Sequence, residues 1–224
     1  MNVLFDLDGT LTDPRDGIVA CIKHGLASLG EPSPSDIELE RFIGPPLHDT
    51  FAKLLHGDGR VDAAVKAYRE RFSALGMFEN VVYPGIPEVL ESLGLGGADL
   101  YVATSKPQVF AERILDHFGL SRHFKGIFGS ELSGARSNKG ELIGHILSVA
   151  GLPAADTVMV GDREHDVQGA RRNGVSAVGV LWGYGSREEL AAAGAEQIVE
   201  QPSELSGLSS NNGLHRTAVN RREG

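Results

Sequence analysis

Short apolar runs alternate with helical stretches along most of the chain. The runs are mostly rich in Val and Ile and have the length of strands, whereas the stretches between them carry apolar residues at helical spacing. Continuous apolar strands separated by amphipathic helices are typical of a parallel sheet that is covered on both faces. The fold class is therefore α/β, and strands are predicted at 2–7, 99–104, 126–128, 157–160 and 175–180.

Glycines follow the predicted helices where a helix would end. Helical periodicity covers 108–118, 140–150 and 167–173, and the residues that come next are Gly119, Gly151 and Gly174. Glycine is common just after a helix because it adopts the left-handed conformation there without strain. We therefore expect regular helix and strand units throughout this part of the chain.

The interval from about residue 13 to residue 83 breaks this rhythm. It contains helical patterns at 17–29, 46–55 and 61–75 without a convincing strand, and Pro or Gly residues mark both of its ends. We interpret it as a helical insertion that lies above the end of the first strand. The predicted organisation is an α/β core (1–14 and 84–205), a helical insertion (15–83) and a polar, flexible tail (206–224).

Composition excludes several classes of protein. With 41% hydrophobic and 23% charged residues, the 224-residue chain has globular values, and its net charge of −9 disfavours binding to nucleic acid or to anionic membranes. The single cysteine, Cys21, excludes an internal disulfide and fits a reducing compartment. No apolar run approaches the roughly 20 residues of a membrane span, and the first ten residues do not resemble a secretory signal. We expect a cytoplasmic protein, monomeric or weakly dimeric.

Polar side chains stand at several predicted strand ends. In parallel α/β sheets, ligands bind outside the carboxyl ends of the strands, so these residues are candidates for one site. The acidic candidates and the lysine can serve phosphoryl transfer, and the hydroxyl residues can hold phosphate oxygens. The set comprises Asp6, Asp8, Gly9 and Thr10, then Thr104 and Ser105, then Lys139, and finally Asp162 and Asp166.

The two aspartates of the first strand suit two halves of one reaction. Side chains alternate along an extended chain, so Asp6 and Asp8 point to one side and Leu7 to the other. Asp6 could attack phosphorus and form an aspartyl-phosphate, while Asp8 gives a proton to the leaving alcohol and later takes one from water. Clustered carboxylates also suit Mg²⁺, which prefers oxygen ligands.

The remaining candidates have supporting roles in this hypothesis. Gly9, Thr10, Thr104 and the backbone N–H of Ser105, at a predicted helix start, would bind phosphate, and Lys139 would stabilise its charge. The predicted metal ligands are Asp6, Asp8 and Asp162, with Asp166 holding a bound water or Lys139 from behind. Lys106 and Lys125 remain alternatives for the role of Lys139.

Four segments together resemble the signatures of the haloacid dehalogenase superfamily. They are DLDGTLTD, ATSKP, Lys139 and VGDREHDVQGA, in that order, and the resemblance extends to about Leu205. It implies a Rossmann-like catalytic core (1–14 and 84–205) with an α-helical cap (15–83), and a phosphatase that acts on a small phosphorylated metabolite. Within the superfamily the chain is similar to phosphoglycolate phosphatase-like enzymes, and FIGPPL, with Gly44 and Pro45, resembles their substrate-facing cap loop. Many relatives have Pro where this chain has Gly140.

Several functions remain open at this level. A nucleoside 5′-monophosphatase, a sugar-phosphate phosphatase and a β-phosphoglucomutase-type phosphotransferase would share the same reacting groups. A signalling receiver also phosphorylates an Asp on a parallel sheet, but at the end of its third strand and without a helical insertion. Dehalogenation is disfavoured because that branch needs no metal and has no use for a proton-shuttling Asp8.

Overall fold

A six-stranded parallel sheet forms the centre of the core in the computed structural model, which describes residues 1–57 and 59–209. The spatial order of the strands is β5-β4-β1-β6-β7-β8, so the predicted α/β class is confirmed. The strands are β1 (Asn2–Phe5), β4 (Asp99–Pro107), β5 (Gly126–Ser130), β6 (Thr157–Gly161), β7 (Ser176–Val180) and β8 (Gln197–Val199).

The central position of β1 determines where the acidic motif lies. Phe5 is paired with Val102 of β4 on one side and with Val160 of β6 on the other. The residues after Phe5 therefore emerge between the carboxyl ends of β4 and β6. All five predicted strands are present, whereas β8 was not predicted, because it has only three residues and begins with a glutamine.

Both faces of the sheet are covered. Val3 and Phe5 are buried in one apolar cluster, and Leu4, which points the other way, is buried in a second. This alternation explains why β1 is apolar at every position. The helices of the core are α5 (Ile86–Leu95), α6 (Gln108–His117), α7 (Lys139–Ala150), α8 (Glu164–Arg172) and α9 (Arg187–Ala193).

The predicted insertion is a bundle of helices joined to the core by a short ribbon. Two-residue strands, β2 (Thr12–Asp13) and β3 (Val81–Val82), pair antiparallel where the chain leaves and re-enters the core. They are too short to produce an alternating pattern in the sequence. The helices between them are α1 (Arg15–Ala27), α2 (Asp36–Glu40), α3 (Leu47–Leu54), α4 (Val61–Arg71) and a π-helical turn (Phe72–Gly76).

The first residues of the segment expected to be a flexible tail form part of a helix that packs on the core. A 3₁₀-helix spans Pro202–Ser209, packs against α5 and buries Leu205 and Leu208 in the core. The sequence did not indicate this helix, because the segment is mostly polar. Its two leucines are three residues apart and share one face of the helix. Residues 206–209 therefore belong to the core, and 210–224 lie outside the described residues. Among the described helices, none is both long and apolar enough to cross a membrane.

Candidate active site

Three buried carboxylates meet at the carboxyl end of the sheet. Asp6 follows β1, Asp162 follows the adjacent β6, and Asp166 lies in the first turn of α8. One oxygen of each lies within 4.8 Å of the others, and all three residues are buried. A compact set of carboxylate oxygens is what a hard divalent cation requires, so these residues fit a metal site.

Lys139 places a positive charge beside this cluster. Its Nζ is 2.9 Å from Asp6 Oδ1 and 2.6 Å from Asp166 Oδ1, and it donates a 2.7 Å hydrogen bond to the carbonyl of Ala103. Burial disfavours the charge of Lys139, but Asp166 and Asp6 together raise its pKa above the ordinary value. The ammonium therefore stays charged at neutral pH and offsets part of the negative charge of the cluster.

The start of α7 explains how Lys139 is oriented. The side chain of Asn138 caps the helix by accepting hydrogen bonds from the N–H groups of Gly140 (2.9 Å) and Glu141 (3.2 Å). A proline at position 140 could not donate the first of these bonds. Gly140, which stands where many relatives have Pro, thus donates one of the two hydrogen bonds that stabilise the N-terminus of α7.

Asp162 and Asp166 are strongly affected by their surroundings. Burial raises the pKa of Asp162 well above its ordinary value, and the charges of Asp166 and Asp6 add to this effect. Burial likewise raises the pKa of Asp166 to about 6, against the opposing influence of Lys139. Both shifts have the same main cause, which is burial, and the neighbouring carboxylates add to it; a bound cation would favour the ionised forms.

Asp8 is not one of the three clustered carboxylates, and its place among the metal ligands stays a prediction. Its Oδ2 is 2.8 Å from Nζ of Lys106, and its buried Oδ1 has no hydrogen-bond partner within residues 1–57 and 59–209. Burial raises the pKa of Asp8, although Lys106 opposes this shift. The environment of Asp8 therefore favours a carboxyl group that can give and take a proton.

Lys106 thus contacts Asp8, while Lys125, the other alternative, lies elsewhere. Lys125 forms an ion pair with Asp99, at the start of β4, and its side chain is 59% exposed. The amino ends of parallel strands lie on the opposite side of the sheet from their carboxyl ends, where the site is. Of the three lysines considered from the sequence, Lys139 and Lys106 each contact one aspartate of the DLD segment.

The turn after Asp8 is shaped by Gly9 and Thr10. Gly9 has a φ of +83°, and a Cβ at this position would lie 2.3 Å from Asp162 Oδ2. Thr10, which was expected to bind phosphate, is fully buried, and its hydroxyl donates a 3.2 Å hydrogen bond to Asp162 Oδ1. Both residues therefore support Asp162, and the hydroxyl of Thr10 is already engaged.

Thr104 and Ser105 lie on an extended chain, because the helix expected to start near Ser105 begins later. β4 continues to Pro107 with an irregularity after Thr104, and α6 starts at Gln108. A residue that precedes proline favours extended conformations, which explains why Lys106, just before Pro107, is extended and not helical. Thr104 is buried with its Oγ1 accepting a 3.2 Å hydrogen bond from the N–H of Lys106.

A cleft of about 370 Å³ lies between the cap and the core. Asp8 and Lys106 line its core side, and Gly44 and Pro45, the predicted specificity residues, line its cap side. The cleft has the size of a small-molecule site, for which about 300–1,000 Å³ is usual. Other lining residues include the aromatic Phe42, Tyr68, Phe72 and Phe110 and the polar His48, Arg69 and Ser130.

Sequence reasoning assigned no site role to two residues that support the acidic centre. The backbone N–H of Tyr184 donates a 2.8 Å hydrogen bond to Asp162 Oδ2, and the N–H of Arg163 donates one of 3.1 Å to Asp166 Oδ2. Arg163 lies within the quoted motif VGDREHDVQGA, whereas Tyr184 lies in the later segment WGYGSREEL. The position of Arg163 directly after Asp162 was an available signal, whereas Tyr184 is 22 residues from Asp162 and had none.

The fold and the site together define a capped α/β enzyme with an acidic centre partly neutralised by lysine. The chain belongs to the family of haloacid dehalogenase-like hydrolases, whose model matches residues 3–180. The predicted family and hydrolase class are therefore confirmed. Comparison with relatives and solved structures agrees with the predicted phosphatase class.

Among the relatives is a 5′-nucleotidase of Pseudomonas aeruginosa, which is 54% identical over 192 residues (85% of this chain and 87% of the relative). The tyrosine-protein kinase PtkA of Mycobacterium tuberculosis is 43% identical over 183 residues (82% of this chain), but this chain spans only 62% of its length. A phosphoglycolate phosphatase of Pseudomonas syringae pv. tomato is 28% identical, covering 88% of this chain and 75% of the relative.

A solved structure has the same architecture throughout. The crystal structure of a predicted phosphatase from Clostridium acetobutylicum superimposes with a TM-score of 0.89 at 43% identity, covering 92% of this chain and 96% of the other. The shared region includes both the core and the cap. The arrangement of cap over core is therefore common to this chain and a solved relative.

Gly9→Ala is expected to disturb the acidic centre, because the new methyl group would overlap Asp162. We expect turnover of 4-nitrophenyl phosphate to fall about 100-fold, a loss typical of misplaced reacting groups. Gly30→Ala is a matched control, since Gly30 also has a positive φ (+73°) but a Cβ there meets nothing within 4 Å. It should cost about 1 kcal/mol of stability and less than twofold in activity. Equal activity in the two variants would contradict the assignment.

Proposed function

We propose that the protein is a Mg²⁺-dependent phosphomonoester hydrolase that forms an aspartyl-phosphate on Asp6. The observation that carries this proposal is the separation of the two aspartates. Asp6 lies in the acidic cluster beside Lys139, whereas Asp8 lies in the cleft beside Lys106. A nucleophile and a proton carrier need such different surroundings.

The first half-reaction is the transfer of the phosphoryl group to Asp6. A carboxylate oxygen of Asp6 forms a bond to phosphorus as the bond to the leaving oxygen breaks, and protonated Asp8 gives its proton to that oxygen. The raised pKa of Asp8 supports a protonated carboxyl at this stage. Lys139, 2.9 Å from Asp6, offsets the charge carried by the phosphoryl oxygens.

The second half-reaction is hydrolysis. Asp8, now a carboxylate, takes a proton from water; the water oxygen bonds to phosphorus, and the bond to Asp6 breaks. Inorganic phosphate leaves, and both aspartates return to their starting state. The unpartnered Oδ1 of Asp8 supports this role, since an oxygen without a hydrogen bond is available to a substrate or a water.

The carboxylates of the acidic cluster support the metal ion in this proposal. Asp6, Asp162 and Asp166 would hold it, and Mg²⁺ suits a site made of carboxylate oxygens. When bound, the cation supplies positive charge for the phosphoryl oxygens. The hydrogen bonds from Thr10 and the N–H of Tyr184 orient Asp162 for this task.

For the substrate we propose nucleoside 5′-monophosphates first and phosphoglycolate second. The sequence favoured phosphoglycolate, but the relative with 54% identity is named 5′-nucleotidase. The cleft also supports the larger substrate, because its aromatic lining offers flat apolar surfaces for a base. A cytoplasmic location and a monomeric or weakly dimeric state stay predictions.

Asp6→Asn is expected to abolish phosphatase activity, because the amide is not a nucleophile of this kind. We expect kcat for 4-nitrophenyl phosphate to fall by about 10³-fold or more. The melting temperature should stay the same or rise, since one of three crowded charges is removed. Asp16→Asn, at a side chain that is 84% exposed, is the matched control and should keep full activity. Retained activity in Asp6→Asn would refute the mechanism.

Removal of divalent cations is expected to stop turnover. EDTA should abolish phosphate release, and excess Mg²⁺ should restore it, because the three carboxylates need a cation to accept a phosphate dianion. Mg²⁺ should also raise the melting temperature of the wild-type protein but not that of Asp162→Asn, since a ligand that binds the folded state stabilises it. Full activity in EDTA would contradict the metal assignment.

A phosphate-release screen is expected to rank nucleoside 5′-monophosphates above the smaller substrate. We expect kcat/KM for the best nucleotide to exceed that for 2-phosphoglycolate about tenfold or more, because the leaving group fills the cleft. Adenosine 3′-monophosphate, with the same base, is the matched control and should be poor. Conversion of β-glucose 1-phosphate to glucose 6-phosphate, without phosphate release, would instead indicate a phosphotransferase.

A further inference from the structure

Arg163 connects the core to the cap from a position next to the acidic centre. It directly follows Asp162, and its side chain is only 16% exposed. Its Nη1 donates a 2.9 Å hydrogen bond to the carbonyl of Ile43, within the cap loop Phe42–Leu47. A single side chain therefore ties the strand end that carries Asp162 to the loop that carries the predicted specificity residues.

A second residue fixes the direction in which Arg163 points. Oε1 of Glu189, on α9, accepts a 2.9 Å hydrogen bond from Arg163 Nε and another of 2.9 Å from the N–H of Glu164. Because the guanidinium is planar, fixing Nε also fixes the direction of Nη1. The ion pair is partly buried, so water screens it less than an exposed pair.

The loop that Arg163 reaches forms part of the cleft wall. Phe42 and Gly44, on either side of Ile43, both line the cleft together with Asp8. A Cβ at Gly44 would lie 3.6 Å from Cγ of Arg163, so the loop backbone rests on the arginine stem. Movement of this backbone would change the distance between the cap wall and Asp8.

We infer that Arg163 is a positioning residue that holds the Phe42–Leu47 loop over Asp8, with Glu189 as its anchor, and so sets how the leaving group of the substrate is bound. Arg163 does not line the cleft in the described structure, so its effect passes through the loop. The inference rests on the proposed phosphatase function only for its kinetic test, because the position of the loop can be measured without turnover.

Arg163→Met is the principal test, because methionine fills similar space without donating hydrogen bonds. We expect KM for adenosine 5′-monophosphate to rise about tenfold, the effect of losing a hydrogen bond from a charged donor. The kcat should stay within about twofold, since uniform binding is what the loop provides. Acetyl phosphate, whose leaving group is too small to need the loop, should show no such rise. Amide hydrogen exchange at Ile43, Gly44 and Leu47 should become faster.

Two further variants keep the test decisive if Arg163→Met does not fold. Arg163→Lys keeps the charge but cannot bind both partners, so it should restore only part of the change in KM. Glu189→Gln keeps an acceptor oxygen without the charge and should show a smaller change in the same direction. Arg187→Met, which removes an exposed ion pair with Glu200, is the matched control and should leave KM and loop exchange unchanged.

The outcomes separate the inference from its rivals. Unchanged exchange and unchanged KM in Arg163→Met would overturn it. An equal loss of kcat for both substrates would also overturn it, by showing that the Arg163 side chain acts on the chemistry and not on the loop, since the backbone N–H that binds Asp166 is unchanged in this variant. If the wild-type protein releases no phosphate from any substrate, the proposed function fails, and faster loop exchange in Arg163→Met alone would still support the positioning role.

Discussion

The rest of the structure depends on one constraint, which is that three buried carboxylates lie close together. They belong to Asp6, Asp162 and Asp166. Three carboxylates within 4.8 Å repel one another, and burial weakens the solvation that would otherwise relieve the repulsion. Lys139 offsets one charge, and it reaches the cluster only because α7 begins beside β4, where its ammonium also binds the carbonyl of Ala103. Burial, together with the charge of the neighbouring carboxylates, raises the pKa values of Asp162 and Asp166. A site that retains this much uncompensated charge is suited to a cation, so its cost in stability and its capacity to bind metal have one physical origin.

The DLD segment gives two neighbouring aspartates different environments because each meets a different lysine. Lys139 reaches Asp6 from the core, whereas Lys106 holds Asp8 at the cleft and lies 4.7 Å from the ring centroid of Phe72 in the cap. This cation–π contact joins the side chain that neutralises Asp8 to the cap wall. Lys106 therefore contacts both Asp8 and an aromatic side chain of the cap. A sequence pattern of period 2 can place two carboxylates on one side, but only the tertiary structure makes them unequal.

The sequence predicted the sheet well because β1, β4, β6 and β7 are buried strands whose apolar runs have no competing explanation. It also predicted that Asp6 and Asp162 share one site, since both follow strands of a parallel sheet, in which ligands bind at the carboxyl ends of the strands. It could not predict β8 or the two-residue strands of the ribbon, because they are too short to repeat an alternating pattern. It also could not predict the 3₁₀-helix at Pro202–Ser209, because that segment is mostly polar and buries only Leu205 and Leu208. The contacts of Arg163 with Ile43 and of Lys106 with Phe72 were also out of reach, since they join residues that are distant in sequence and depend on how the cap sits on the core.

The loop after β7 contacts both the acidic centre and the ribbon that joins the cap to the core. The indole N–H of Trp182 donates a 3.0 Å hydrogen bond to the carbonyl of Thr10, and the N–H of Tyr184 binds Asp162. The hydroxyl of Tyr184 donates a hydrogen bond to Asp13, which lies in strand β2 of the ribbon. Asp13 also accepts a hydrogen bond from the N–H of Arg15, at the start of α1. One short segment therefore fixes a carboxylate of the centre, the turn after Asp8 and the point where the cap begins. Because hydrogen bonds of this kind fix direction as well as distance, the placement of the cap and the geometry of the acidic centre are determined by the same few residues.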